Sequence, residues 1–216
     1  MTNRGFESEI NYSIFTKQHT ALSIYGNFSQ NKNKVLHLAG TSTIDLTGEA
    51  VSSRAIEGYP LGVLYGSGSQ VDEQGNFILN EFGFPQITTS PVVLGDPNPD
   101  WRGSIGVQAK WKKWDLHLLI EHSQGGDFSP RTQWVLRRFG TTQETANRIT
   151  LEEDLVNYAG QTISKGTTLR GNIEDFGAGP VLLDETWYRT GIGGGFGSNQ
   201  AYNFSIKDAT LSLIHI

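Results

Sequence analysis

The chain has 216 residues, a formal net charge of −5 at pH 7, no cysteine, and 26 glycines. That length is ample for one domain, and the charge offers no basic field for nucleic acid, which is therefore not an expected partner. The absence of cysteine excludes thiol chemistry and disulfides. There is no run of ~18 apolar residues, so no transmembrane helix is encoded, although this says nothing against a barrel, whose strands alternate in polarity.

Residues 1–20 lack the charged start, apolar core and small-residue cleavage site of a signal peptide, which a secreted or outer-membrane protein would need, so the expectation is either a soluble chain or a true N-terminus further upstream. Gly5 to Ile14 and Thr20 to Phe28 read as a hairpin around FTKQH (15–19). In that register Tyr12 faces Leu22, Ile10 faces Ile24, Ser8 faces Gly26 and Phe6 faces Phe28, with Glu7, Glu9 and Asn11 on the other side. From about Gln30 to Pro99 the composition is mostly that of loops. Tyr59, Tyr65, Phe77, Phe82 and Phe84 in this stretch either pin the loops to one another or stack on a ligand. Loops of this length are uncommon in a compact soluble domain.

Trp101 to His122 carries the strongest pattern. Trp101, Ile105, Val107 and Trp111 alternate with Arg102, Ser104, Gln108 and Lys110. Beyond Lys112-Lys113 the parity inverts, with Trp114, Leu116, Leu118 and Ile120 alternating with Asp115, His117 and Glu121, and Leu119 as the exception. Pairing 111 with 114, 109 with 116, 107 with 118 and 105 with 120 gives one apolar face and sets Lys110 against Asp115; a loop of two or four residues would serve. Large side chains on that face stabilise by roughly 1.5–3 kcal/mol each if removed from water. The cover is either a second sheet or lipid. A membrane-crossing strand needs about 9–11 residues, and the tryptophans lie at the ends of the stripe, where an aromatic girdle belongs.

After Glu121 a second loop-rich stretch runs to about Pro180 and includes the polar segment Thr141 to Thr150. Val181 to Tyr188 reads as a strand, 191–200 (GIGGGFGSNQ) as a turn or flexible segment, and Tyr202, Phe204 and Ile206 as the start of another strand. The alternation of short turns with long loops is that of an outer-membrane barrel. The strands in view are too few to close a wide wall, so the membrane reading implies a fragment.

Candidate chemistry is sparse. Asp115, His117 and Glu121 share a strand face but read as a solvated lumen. Asp72, Glu73, Gly75 and Asn76 read as an ordinary turn with too few ligands for calcium. Asp96, Asn98 and Asp100, interleaved with Pro97 and Pro99, read as a rigid loop end. His19, His37 and His122 are isolated, and neither a nucleophile elbow nor a zinc-binding helix motif occurs. The run Gly191 to Gly197 does not make a phosphate cradle in any register. No catalytic, cofactor or metal residue is expected, and no substrate-binding residue can be named.

Several pieces, in order, resemble the SusC/RagA family of TonB-linked outer-membrane proteins. They are NRGFE (3–7), NKNKVLHL (31–38), EGYPLGVLYG (57–66), GDPNPDW (95–101), KKWDL (112–116), SQGGDF (123–128), TTQETANR (141–148) and IKDA (206–209). The resemblance covers nearly the whole chain and is specific as a set. It implies an all-β fold, a partial transmembrane antiparallel β-barrel with long extracellular loops, located in the cell outer membrane and contacting its lipid. It further implies a nutrient importer and not an enzyme, taking up glycans or peptides with a SusD-like surface lipoprotein as lid and the TonB complex engaged through a part outside this chain. Residues 1–210 would be part of that barrel, without the plug and earlier strands. Loops 30–100 and 123–180 would line the extracellular vestibule. Residues 211–216 (LSLIHI) depart from the family pattern, match the translation of a sequencing-library adapter, and are expected to be non-native, so no role attaches to His215. The rival expectation is a soluble β-sandwich that binds carbohydrate, and a third a β-rich hydrolase.

Overall fold

The computed structural model describes residues 1–194 and 200–216. Two long strands come first, β1 (Thr2–Lys17) and β2 (Thr20–Lys34), then the short strands β3 (Thr43–Asp45), β4 (Ser52–Ile56), β5 (Val63–Gly66) and β6 (Val92–Gly95). The second long pair is β7 (Trp101–Trp111) and β8 (Trp114–Gln124). There follow β9 (Asp127–Phe128), helices α1 (Arg131–Arg138) and α2 (Gln143–Ala146), β10 (Arg148–Thr150), β11 (Leu155–Val156), β12 (Thr162–Ile163), β13 (Thr168–Arg170), β14 (Asn172–Asp175) and β15 (Pro180–Leu183). A π turn (Thr186–Thr190), a 3-10 turn (Tyr202–Phe204), β16 (Lys207–Asp208) and β17 (Leu211–His215) complete the chain.

The long strands form one five-stranded antiparallel sheet in the order β1-β2-β7-β8-β17. It is open, and these residues form no closed barrel. Every register expected for β7 and β8 is present: Trp111 faces Trp114, Ala109 Leu116, Val107 Leu118, Ile105 Ile120 and Lys110 Asp115. The loop is the two-residue one, with Lys112 at φ 56°, the positive value that such tight reversals demand.

The first hairpin corrects the expectation. Its strands run on to Lys17 and Thr20, and a bulge between Ser13 and Phe15 shifts the register, so that Tyr12 faces Ile24, Ile10 Gly26, Ser8 Phe28 and Phe6 Gln30. The shift is by two residues, which preserves the faces; a shift of one would have inverted them.

The long connections are structured too. β3 to β6 make a four-stranded sheet, and β10 to β15 make small two-stranded ladders. With the helical turns they form a head at the loop end of the long sheet. Val181 to Tyr188 is a strand only as far as Leu183, because Asp184 then caps a helical turn: its Oδ1 accepts the Thr186 N–H at 2.8 Å, and its carbonyl accepts from Trp187 and Tyr188. Tyr202 and Phe204 sit in a 3-10 turn and not in the expected strand, which here is reduced to Lys207–Asp208, paired with β9. Of the glycine-rich segment 191–200, Gly195 to Asn199 lie outside the described residues.

The head has the core. Phe84, Trp187, Val181, Leu183 and Ile192 are buried together, and the Trp187 ring lies 5.7 Å from Phe84, 5.5 Å from Phe176 and 5.3 Å from Phe204. Smaller clusters form around Trp134 with Tyr202, and around Leu151, Leu155 and Leu182.

Candidate functional site: sheet face, rim and head cavity

Directly opposed residues share a face, so the registers define one apolar surface across the sheet. It carries Phe6, Ile10 and Tyr12 of β1, Leu22, Ile24 and Phe28 of β2, Ile105, Val107 and Trp111 of β7, and Trp114, Leu116, Leu118 and Ile120 of β8. This surface is uncovered: Ile10 is 63% exposed, Ile105 61%, Trp111 60% and Trp114 74%. A sandwich would need a second sheet here, and no described element packs against it.

Aromatic rings collect at both ends. At the head end Phe6, Phe28, Trp101 and His122 form a row across the strands, with centroid separations of 6.3, 5.7 and 4.9 Å. At the turn end Trp111 and Trp114 oppose each other, with the Lys112 ammonium 5.2 Å from the Trp111 ring. Ten residues at ~3.4 Å each separate Trp101 from Trp111, and a tilt of about 40° reduces ~34 Å to ~26 Å, close to the height of the apolar band of a membrane barrel.

The opposite face is wet. Glu7, Glu9, Asn11, Asn27, Arg102, Ser104, Gln108, Lys110, Asp115, His117 and Glu121 lie on it. Asp115 and His117 are spaced along one strand rather than converging, and Glu121 bonds His215 at 2.9 Å. Leu119, the exception in the alternation, stands opposite Gly106, and Gly106 stands opposite Tyr25, whose ring occupies the space a side chain on Gly106 would need. The three make a small apolar spot on the polar face.

Five of the motif pieces, 31–38, 57–66, 95–101, 123–128 and 206–209, scattered in sequence, meet at the rim between sheet and head. Asn33 accepts the Leu61 N–H at 2.6 Å, and Val35 and Gly58 bond across to Tyr59 and Val35. The Leu61 carbonyl accepts from Asn98 at 3.1 Å. The Asp96 N–H donates to Asp127 Oδ2 at 2.9 Å, and Asp127 N–H returns to the Asp96 carbonyl at 2.7 Å. Gly125 has φ +72°, and a Cβ there would meet the Asp100 carboxylate. Ala209 N–H bonds the Gly126 carbonyl. Asp208 is held below the usual carboxylate range by the Thr210 hydroxyl and N–H. The Asp127 carboxylate is thus committed to a backbone donor and the Asp96 carboxylate to the N–H and side-chain amide of Asn98, at 3.0 and 2.6 Å, and the arrangement is a staple. Among the described residues no group of three or more acidic or histidine side chains converges as a metal site would.

Asp72 is likewise a turn residue. Its carboxylate accepts from the side chain and N–H of Asn76 and from Gln74, bonds that depress its pKa. Of the loop aromatics, Phe84 and Phe77 pin the head together, Tyr65 lies under the Arg54 guanidinium at 4.6 Å, and Tyr59 and Phe82 remain 45% and 38% exposed.

Sequence reasoning missed the head's cavity, an open hollow of about 960 Å³. Arg137, Arg138, Phe139, Leu169, Arg170, Tyr188 and Arg189 are among its lining. Arg137 is buried, bidentate with Glu144 of the TTQETANR piece, and bonds Ser205 Oγ at 3.2 Å. α2 is fixed by the reciprocal Thr142–Thr145 capping bonds, which hold Glu144 in place. Burial pushes the Tyr188 phenol up, and the Asn172 amide donating to it at 2.8 Å pulls it part of the way back. The only sequence signal was the Arg137-Arg138 pair; Arg170 and Arg189 are isolated in the chain and brought in by β13 and the π turn.

No family model matches the chain. Over 176 residues it is 26% identical to TonB-dependent receptor P3 of Formosa agariphila, an alignment covering 69% of this chain and 17% of that protein. The chain thus spans about a sixth of the length of the relative it matches. A β-rich structure with one uncovered apolar face agrees with that likeness, which supports the TonB-dependent receptor family.

Proposed function

We propose that this chain is a stretch of barrel wall and extracellular head from a SusC/RagA-type importer of glycans or peptides. In this reading the apolar face of the sheet meets outer-membrane lipid, and the head, built from 35–100 and 125–210, lines the vestibule under a SusD-like lipoprotein lid. Energy comes from the TonB complex through parts of the protein outside this chain. The supporting observation is the sheet: a continuous apolar face bounded by aromatic rows at a membrane-like spacing, with short turns at one end and a folded head at the other. The test is fractionation of the whole gene product. An outer-membrane band whose gel mobility changes on boiling is the expected result, and a detergent-free soluble protein would defeat the proposal.

Residues 211–216 follow the wall's alternation only in part, which supports their non-native origin. β17 sets Leu211 and Leu213 on the wet face, opposite Ser123 and Glu121, and Ser212 on the apolar side, while Ile214 faces Ile120 there. The gene sequence downstream of Thr210 decides this point.

A further inference from the structure

We propose that the head cavity is a binding site for an acidic oligosaccharide, one bearing carboxylate or sulfate groups. The inference rests on the importer reading and narrows its substrate class.

The cavity's acidic residues are already engaged. Glu185 on the lining pairs with Arg189 at 2.6 Å, and Glu144, behind the lining, neutralises Arg137. Asp184 is occupied by Thr186 and by the Asn157 amide at 2.9 Å. Arg170 is different: it is exposed on the cavity lining, and its guanidinium has no hydrogen-bond or ion-pair partner among the described residues. Its direct cross-strand neighbour is Arg148, so two like charges oppose each other on an isolated two-stranded ladder, an arrangement that costs stability until an anion lies between or above them. A planar guanidinium with its donors unused is suited to bidentate capture of a carboxylate or sulfate.

The second feature is apolar. Phe139 ends α1 on the cavity lining and is 74% exposed, while Leu169 lies half-buried beside Arg170. A flat ring that stays open to solvent beside cationic donors suits a pyranose, whose C–H face packs on an aromatic surface while its acidic substituent reaches the arginine. The cavity, at about 960 Å³, accommodates several sugar rings.

The test uses the whole receptor in detergent, with titration calorimetry of galacturonate tetramer, a sulfated galactan tetramer and neutral maltotetraose. Both Arg170→Gln and Phe139→Ala alter exposed side chains and leave the fold intact, checked by unchanged heat-modifiable mobility. Binding of at least one acidic tetramer, weakened about tenfold by each variant and by raised salt, with maltotetraose bound at least tenfold more weakly, is the expected result; which acidic tetramer binds tells carboxylate from sulfate. Equal binding of maltotetraose, indifference of acidic binding to both variants, or no acidic binding overturns the inference. A receptor that fails to fractionate with the outer membrane overturns the importer reading instead, a separate outcome.

Discussion

The sheet and the head draw on the same residue types and place them oppositely. In the head Phe84 is fully buried and Trp187 is 3% exposed; in the sheet Trp114 is 74% exposed and Ile10 63%. The head therefore obeys the rule for a body in water, with the hydrophobic effect gathering its rings into a core. The sheet has the outward placement of apolar side chains that a body in lipid requires. On the proposed reading one chain carries both because each region meets a different medium, with the rim staple through Asp96 and Asp127 at the border.

The largest expected effect breaks the head alone. Phe84→Ala removes a ring packed against Tyr158, Phe176 and Trp187 and should cost about 3–5 kcal/mol. Limited proteolysis of the whole receptor should then cut within 35–100 and 125–210 while the sheet keeps its heat-modifiable band; simultaneous loss of both would mean that they are a single cooperative unit.

Ile105→Arg tests the other medium. The position is central in β7 on the apolar face, and a charge there should destabilise the folded protein in vesicles by about 2–4 kcal/mol. Gln108→Arg, on the wet face of the same strand, should change it little. If the two variants unfold at the same denaturant concentration, the apolar face does not meet lipid.

Asp127→Ala acts on the border. It leaves the Asp96 N–H without its acceptor and should cost about 1–3 kcal/mol. Hydrogen exchange at residues 95–100 and 125–128 should accelerate ahead of exchange in β7 and the head core. Unchanged protection at the rim would show that the staple does not couple the regions.

What the sequence disclosed follows the same division. The β7–β8 pairing was legible residue by residue because a period of two, a parity inversion and a charge pair all select one register. The bulge at Ser13/Phe15 left no such mark, so the first hairpin came out two residues off with its faces correct. The head was opaque because its strands are two to five residues long, too short for any period to register, and because its core unites residues as distant as Phe84 and Ile192. Tyr202, Phe204 and Ile206 show alternation, yet Tyr202 packs on Trp134 and Phe204 on Trp187, and that tertiary demand overrides the strand pattern. The arginines of the cavity were invisible as a set, since only the fold assembles them.

The smallest expected effect is a matter of pH and separates the two regions by mechanism. The head's turns at Asp45 and Asp72 are held by carboxylates accepting backbone N–H groups, from Thr47 and Gly48 in one and from Gln74 and Asn76 in the other. Both carboxyls are depressed below their ordinary value of 3.8, Asp45 chiefly by the Gly48 and Thr47 bonds and Asp72 chiefly by Asn76. A depressed folded-state pKa contributes stability that is present above the unfolded value and is lost as pH falls through the folded one. Protection of the Gln74 and Asn76 amides, corrected for intrinsic exchange, should therefore hold from neutrality down to about pH 4 and decline below it. The central residues of β7, whose ladder bonds involve no titrating group, should keep their protection over the same range. Equal loss in both places would assign the acid response to global unfolding, and the contrast between turns held by charge and a sheet held by its surroundings would have to be given up.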